Sequence, residues 1–122
     1  MIEGTDRNIM KEIKAIIQPA MLSRVIEALK EMADLPGVTV SEVKGFGKSR
    51  AADATEKIVE DTIEYSKKVK LEIVVPDSRV EDVVRAICSN ASTGHAGDGK
   101  IFITTVDDVV KIRTGQRGEE AI

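Results

Sequence analysis

The apolar residues of this chain switch repeatedly between a period of two and a helical period, and that alternation constrains the fold more than any other feature. Met10 to Ile17 (Met-Lys-Glu-Ile-Lys-Ala-Ile-Ile) has strand character and ends at Gln18-Pro19, where a proline stops a ladder. From Met21, Leu22, Val25, Ile26, Leu29 and Met32 recur at helical intervals, with no Gly or Pro from Ser23 to Ala33. Leu35-Pro36-Gly37 closes that helix with a turn, and Val38 to Val43 then alternates with period two before running into Gly45-Phe46-Gly47. Lys70 to Val75 is a third strand, stopped by Pro76-Asp77. Asp77 or Ser78 is placed to cap a second helix whose stripe is Val80, Val83, Val84 and Ile87. Lys100 to Val106 is the fourth strand. The order is β-α-β, a long connection, then β-α-β. Such a chain is expected to be α+β, a ferredoxin-like βαββαβ fold with four antiparallel strands and its helices on one face. The other face also carries aliphatic residues, so oligomerisation is expected.

Residues 10–122 suffice for one domain, with 1–9 read as a polar, disordered leader or tag. With no Trp, one Tyr and two Phe, the core must come from Ile, Val, Leu and Ala. The formal net charge of −3 argues against a nucleic-acid partner, and the aromatic platforms that RNA recognition uses are missing. No apolar run approaches the roughly eighteen residues of a membrane helix, and no secretory signal is visible. Cys88 is the only cysteine, which excludes an internal disulfide and fits a reducing, cytoplasmic setting. Within the apolar run Val83 to Cys88 it reads as a buried, inert thiol.

Between the second helix and the fourth strand runs Thr93-Gly-His-Ala-Gly-Asp-Gly-Lys-Ile-Phe102. Gly94, Gly97 and Gly99 let the backbone bend close to a ligand, and Lys100 adds a positive charge, a combination that suits a polyphosphate. Gly94 to Lys100 also satisfies G-x-x-x-x-G-K, but a P-loop fails at the next residue. Ile101 stands where Ser or Thr should reach the metal, and Ile101-Phe102-Ile103 opens a strand where a helix should begin. His95, the sole histidine, lies inside the loop without the neighbours a metal site needs; when protonated it can touch a phosphate.

Segment 47–68 is longer than an ordinary connection, and such loops are usually functional. Two readings of it stand level. Asp53-Ala-Thr-Glu56 has capping-box spacing, and Ala54, Ile58, Thr62 and Tyr65 trail along one helical stripe, which describes a surface helix. The other reading is a solvated hairpin tip. Asp53, Glu56, Glu60, Asp61 and Glu64 read as solvated charge ahead of a metal site.

Ala15-Ile-Ile-Gln-Pro19, Thr39-Val-Ser-Glu-Val-Lys-Gly-Phe-Gly47, Lys68-Val-Lys-Leu-Glu-Ile-Val-Val-Pro76, Thr93-Gly-x-x-Gly-Asp-Gly-Lys-Ile-Phe102, and Lys111-Ile-Arg-Thr-Gly115 with the ending Glu119-Glu-Ala-Ile122 follow one another in order. Together they resemble the P-II signal-transduction family, the trimeric nitrogen-regulatory proteins. The resemblance implies a homotrimer with ATP or ADP in each cleft between neighbours, and magnesium as the nucleotide's companion. It assigns Ile16, Thr39, Gly45, Phe46, Gly47, Lys48 and Glu72 to the nucleotide, Gly97, Asp98, Gly99 and Lys100 to the phosphates, and Lys111 and Arg113 to a basic pair reaching over from the C-terminal segment. It assigns no catalytic residue. It also implies a target protein, a membrane transporter or metabolic enzyme, held through loop 48–67. Divergent members regulate bicarbonate and metal-efflux transporters, which would bring a cytoplasmic protein to the membrane periphery.

The chain departs from that family in the long loop. Members that sense 2-oxoglutarate carry a glutamine two residues after Gly-Phe-Gly, whose carbonyl helps hold a magnesium ion bridging ATP and the oxoacid. Ser49 stands there, a shorter and weaker ligand for a hard cation, which counts against 2-oxoglutarate. Asp61 occupies the place of the tyrosine that undergoes uridylylation, and Tyr65, four residues on, reads as a packing residue. Lys68, which resembles the lysine at the loop's other root, remains.

The leading functional reading is a non-enzymatic sensor in which ATP and ADP compete for one cleft and the occupant sets the loop's conformation. A slow ATPase is the alternative. It needs a residue to position water, and Asp98 and Glu72, the candidates near these motifs, have no activating partner in the sequence. A third reading keeps the site but fills it with another adenylyl or anionic ligand; the intact cradle and the Lys111/Arg113 pair argue against that change.

Overall fold

Strand β1 (Met10–Ile17) lies inside the sheet with a neighbour on each side, and the rest of the fold is built on it. The computed structural model describes residues 9–46, 57–60 and 63–122. After β1, a single 3-10 turn at Pro19–Met21 leads into α1 (Leu22–Lys30). Then come β2 (Thr39–Gly45), β3 (Lys57–Glu60), β4 (Ile63–Pro76), α2 (Val80–Ala91) and β5 (Gly99–Val106). The strand order is β2-β4-β1-β5, every pair is antiparallel, and β3 pairs with β4 beyond the end of β2. This is the ferredoxin-like α+β arrangement that the two β-α-β halves led us to expect.

One face of the sheet is apolar and covered. Ile13, Ala15 and Ile17 of β1, with Val69, Leu71, Ile73 and Val75 of β4, pack against Val25 and Leu29 of α1 and Val80, Val83, Ile87 and Ala91 of α2. The period of two in the strands and of three to four in the helices puts these residues on facing surfaces. Each buried side chain of this kind contributes about 1.5–3 kcal/mol. The core is aliphatic, as the composition requires. Phe46 and Phe102 stay outside it, 58% and 49% exposed.

Several boundaries differ from the sequence expectation. Helix α1 stops at Lys30, before Ala33, and Asp34 takes a left-handed φ of 58° where the chain turns toward Leu35-Pro36-Gly37. Neither Asp77 nor Ser78 caps α2 with its side chain. A 3-10 turn, Asp77–Arg79, feeds the helix instead, and the Val80 N–H donates to the Asp77 carbonyl. Glu81 and Asp82 then supply the negative charge that a helix N-terminus favours. Ile9, assigned to the leader, accepts a hydrogen bond from the Asp77 N–H at 3.0 Å. Cys88 is exposed, contrary to the buried thiol expected. The inward stripe of α2 is Val80, Val83, Ile87 and Ala91, and one residue past Ile87 the helix has rotated Cys88 away.

Of the two readings that stood level for the long insert, the strand pairing favours the hairpin over the surface helix. Residues Ile58 and Tyr65, placed on a helical stripe, belong instead to an antiparallel hairpin, with Lys57 opposite Ser66 and Glu60 opposite Ile63. Ile58, Val59 and Ile63 are β-branched and favour a strand. Strand β4 is therefore 14 residues long and begins seven residues before the expected Lys70. The Lys67-Lys68 pair hides its first half from a search for apolar alternation. Ala54, Thr62 and the Asp53–Glu56 capping pattern lie outside the described residues. Among the described residues no helix is long and apolar enough to cross a membrane.

Ile13 has no exposed surface and touches the core from the inner strand. Ile13→Ala is expected to lower unfolding stability by about 2–5 kcal/mol, measured by urea denaturation.

Candidate nucleotide site

Opposite residues in an antiparallel pair point to the same face, so the register defines what the uncovered face of the sheet presents. One row across the four strands is Thr39, Glu72, Lys14 and Phe102. The next is Ser41, Lys70, Ile16 and Lys100. Val43 lies opposite Lys68 in the row beyond. Lys14, Lys68, Lys70 and Lys100 thus share one face with Glu72, which Lys70 approaches at 3.9 Å. The balance at the cradle end of this face is positive.

The cradle begins where α2 ends. Gly94, Gly97 and Gly99 all have positive φ, at 84°, 95° and 113°. Gly99 is the tightest point, because a Cβ there would lie 1.8 Å from the carbonyl oxygen of Ile16. The loop is held from two sides. Lys68 Nζ donates to the Gly97 carbonyl at 2.6 Å. The Asp98 carboxylate accepts the N–H groups of Thr93 and Gly94 at 2.7 and 2.9 Å and the Thr93 hydroxyl at 2.5 Å. These donors, the Thr93 hydroxyl first, hold the Asp98 carboxyl below its ordinary value. His95 is exposed, with Nδ1 3.3 Å from the Thr93 hydroxyl oxygen. A small apolar cavity of about 250 Å³ lies behind the cradle, between Ile17, Ile87, Cys88, Ala91, Gly99 and Ile101.

At the far end of β2, Gly45 pairs with Ser66, and Phe46 meets Tyr65 edge to face with ring centroids 5.7 Å apart. Lys44 Nζ stands 5.2 Å from the Tyr65 centroid. Tyr65 is a packing residue, as expected, and it fastens the root of the hairpin to β2.

The structure brings Ile16, Lys68, Gly97, Gly99 and Lys100 into one neighbourhood and sets Thr39 beside Glu72 one row further along. A cleft of about 360 Å³ adjoins that second pair, lined also by Glu12, Pro36, Val109 and Ile122. Lys111 and Arg113 are not brought to the cradle. Strand β5 carries the chain from Lys100 to Val106, at the opposite end of the sheet, before they follow. Their segment is tied to itself, through Lys111 N–H to the Gln116 carbonyl at 2.8 Å and Arg117 to Asp108 at 2.8 Å. Between the two cations Ile112 is fully exposed. Gly47, Lys48, Ser49 and Asp61 lie outside the described residues. Thr93 was not among the expected site residues. Its signal was the spacing of Thr93 and Asp98, a hydroxyl and a carboxylate at the two ends of a glycine loop. Among the described residues no group of three metal-ligating side chains occurs.

Residues 10–116 match the family described as nitrogen regulatory protein P-II. Nitrogen regulatory protein P-II of Azospirillum brasilense is 47% identical over 113 residues, covering 93% of this chain and all of that protein. The Synechocystis sp. protein of the same description is 48% identical with the same coverage. Among solved structures, B. subtilis GlnK in complex with ATP superposes with a TM-score of 0.76 at 27% identity, over 94% of this chain and 97% of that one. Arabidopsis thaliana PII bound to citrate gives 0.75 at 39% identity, over 94% of each. The chain belongs to the P-II family of nitrogen-regulatory signalling proteins, which are not enzymes.

Two predictions follow from the cradle geometry. Gly99→Ala adds a backbone strain of about 1–3 kcal/mol to a clash with the Ile16 carbonyl, so it is expected to lower the thermal midpoint and separate the ends of β1 and β5. Amide exchange at Ile17 and Ile101 reads that separation. The Asp98 contribution to loop order is full above the ordinary aspartate value of 3.8 and is lost only as pH falls through its depressed folded value. The main titration step of the Asp98 side-chain carboxyl carbon resonance should therefore fall below about pH 4; a midpoint above that would contradict the geometry.

Proposed function

We propose that this chain is a homotrimeric adenine-nucleotide sensor that binds ATP and ADP in the clefts between copies and signals to a target protein through loop 48–67. The observation that carries the reading is the cradle itself. Glycines at positive φ and Lys68, Lys70 and Lys100 converge at one end of the uncovered sheet face, in a chain of the P-II family. Backbone N–H groups beside several cations suit the charge of a polyphosphate. The similar GlnK was solved as an ATP complex, which supports the same ligand class here.

A cleft between copies accounts for what one chain leaves apart. Lys111 and Arg113 leave from the opposite end of the sheet, and Thr39 lies on the free edge of β2 while Lys100 lies on β5, the other edge strand. A second copy set edge to edge would bring its basic pair and its Thr39 and Glu72 toward the first copy's cradle. The same packing would cover Ile16, Val43, Val74 and Phe102 on the uncovered faces.

The output path runs along β4. This strand is continuous from Ile63 to Pro76, so the residue that touches the cradle, Lys68, and the one that fastens the hairpin, Tyr65, share one rigid element. A nucleotide that prefers one position of the Gly97 carbonyl thereby biases the hairpin, and a hairpin held by a partner biases nucleotide affinity in return. Ser49 in place of a glutamine argues that 2-oxoglutarate is not the second effector.

Calorimetric titration with ATP and ADP, each with and without magnesium, tests the reading. Both nucleotides are expected to bind, with no change on adding 2-oxoglutarate. Lys100→Ala is expected to abolish binding while the assembly keeps its mass by light scattering. Undiminished affinity in that variant would sink the site assignment. Synergy between ATP and 2-oxoglutarate would return the protein to the nitrogen-sensing members. Citrate, the ligand of the Arabidopsis protein, belongs in the same titration as a competitor.

A further inference from the structure

A carboxylate inside a polyphosphate loop is electrostatically misplaced unless its charge is used elsewhere. Asp98 has the use. Its Oδ2 accepts the Thr93 and Gly94 N–H groups and its Oδ1 accepts the Thr93 hydroxyl, while the Thr93 hydroxyl oxygen accepts the His95 N–H at 3.3 Å. Three consecutive backbone donors at the start of the loop are thus consumed inside it. Among the described residues nothing accepts the N–H groups of Ala96 or Gly97. On the far side the Gly97 carbonyl is occupied by Lys68, which keeps that oxygen from opposing an anion.

Building on the nucleotide reading of the cradle, we infer that the Asp98 carboxylate and Thr93 are positioning groups: together they fold the first half of the loop so that the second half presents its N–H groups to phosphate, and the Asp98 carboxylate is not itself a ligand. The division has a physical logic. A glycine-rich loop has many backbone states to lose on binding, and a carboxylate tying its two ends together removes most of them beforehand. The cost is one negative charge near the phosphates, which the surrounding lysines offset.

Charge and order predict opposite signs, so substitution separates them. Were Asp98 only a nearby charge, Asp98→Asn would tighten ATP binding by removing repulsion. As a loop organiser it loses charge-assisted hydrogen bonds, so affinity is expected to fall roughly tenfold or more. Thr93→Val should weaken ATP binding in the same way, and Thr93→Ser, which keeps the hydroxyl, should restore it. Faster amide exchange at Gly94 and His95 in the nucleotide-free variants should accompany the loss. The double variant should be little worse than either single one, since both remove one unit.

Calorimetry is run with and without magnesium. Weakening in both conditions, with rescue by Thr93→Ser, supports the inference. Unchanged or tighter binding by Asp98→Asn overturns it, and so does a loss confined to magnesium buffer, which would make Asp98 a metal ligand. If Asp98→Asn does not fold, the Thr93→Val and Thr93→Ser pair decides alone, because equal affinity of the two removes the hydroxyl's role. Lys100→Ala keeps the two readings apart: loss there with unchanged Asp98→Asn binding leaves the site standing and rejects only the positioning role.

Discussion

The contact on which the rest depends is the passage of Gly99 against the carbonyl of Ile16. No side chain fits there, and the close approach brings β5 onto β1 at a defined point, Gly99 opposite Ile17 and Lys100 opposite Ile16. Two consequences follow from one register. Ile101 is turned inward to the aliphatic core, and Lys100 outward beside Ile16 on the uncovered face. A slip of one residue would exchange them, placing an ammonium group in the core and removing it from the cradle. Fold stability and site geometry are therefore set by the same hydrogen-bonded ladder.

Around that point the loop is organised by charge spent locally. Asp98 closes its outer half, Lys68 holds its inner carbonyl, and each interaction joins elements far apart in the chain or at opposite ends of a glycine segment. Neither contact is deeply buried. Their value lies less in global stability than in narrowing the states of a segment that glycine would otherwise leave open. Lys68 sits on the strand that continues into the hairpin, so the cradle and the insert are joined by one element.

Much of this was legible in the amino-acid order. Strand β1 was read at its observed limits, and β5 to within one residue, because proline and glycine punctuate both. The aliphatic core was implied by the shortage of aromatics. In the long insert a surface helix and a hairpin tip stood level, since Asp53 to Glu56 carries a helix-start pattern and the Lys67-Lys68 pair interrupts the apolar alternation of β4; the pairing of β3 with β4 favours the hairpin. Tertiary pairing decided there between two local preferences of similar weight. Cys88 was misplaced because a run of apolar residues on a helix conceals which of them falls off the buried stripe. At the site, the motif pointed to Asp98 and Lys100 but not to what Asp98 does. That depends on which donors its two oxygens meet, and a linear pattern does not contain that information.

Tyr65 has a consequence of a different kind. It is the chain's one tyrosine, there is no tryptophan, and its ring meets Phe46 and Lys44 at the root of the insert. In the near ultraviolet the protein is almost transparent, so absorbance at 260 nm from a purified sample would report chiefly any adenine it carried. The faint emission that remains would come from one ring, whose two neighbours lie in β2 and one residue past its end. Without any added label, the molecule thus holds a single optical reporter at the place where its long insert joins the sheet.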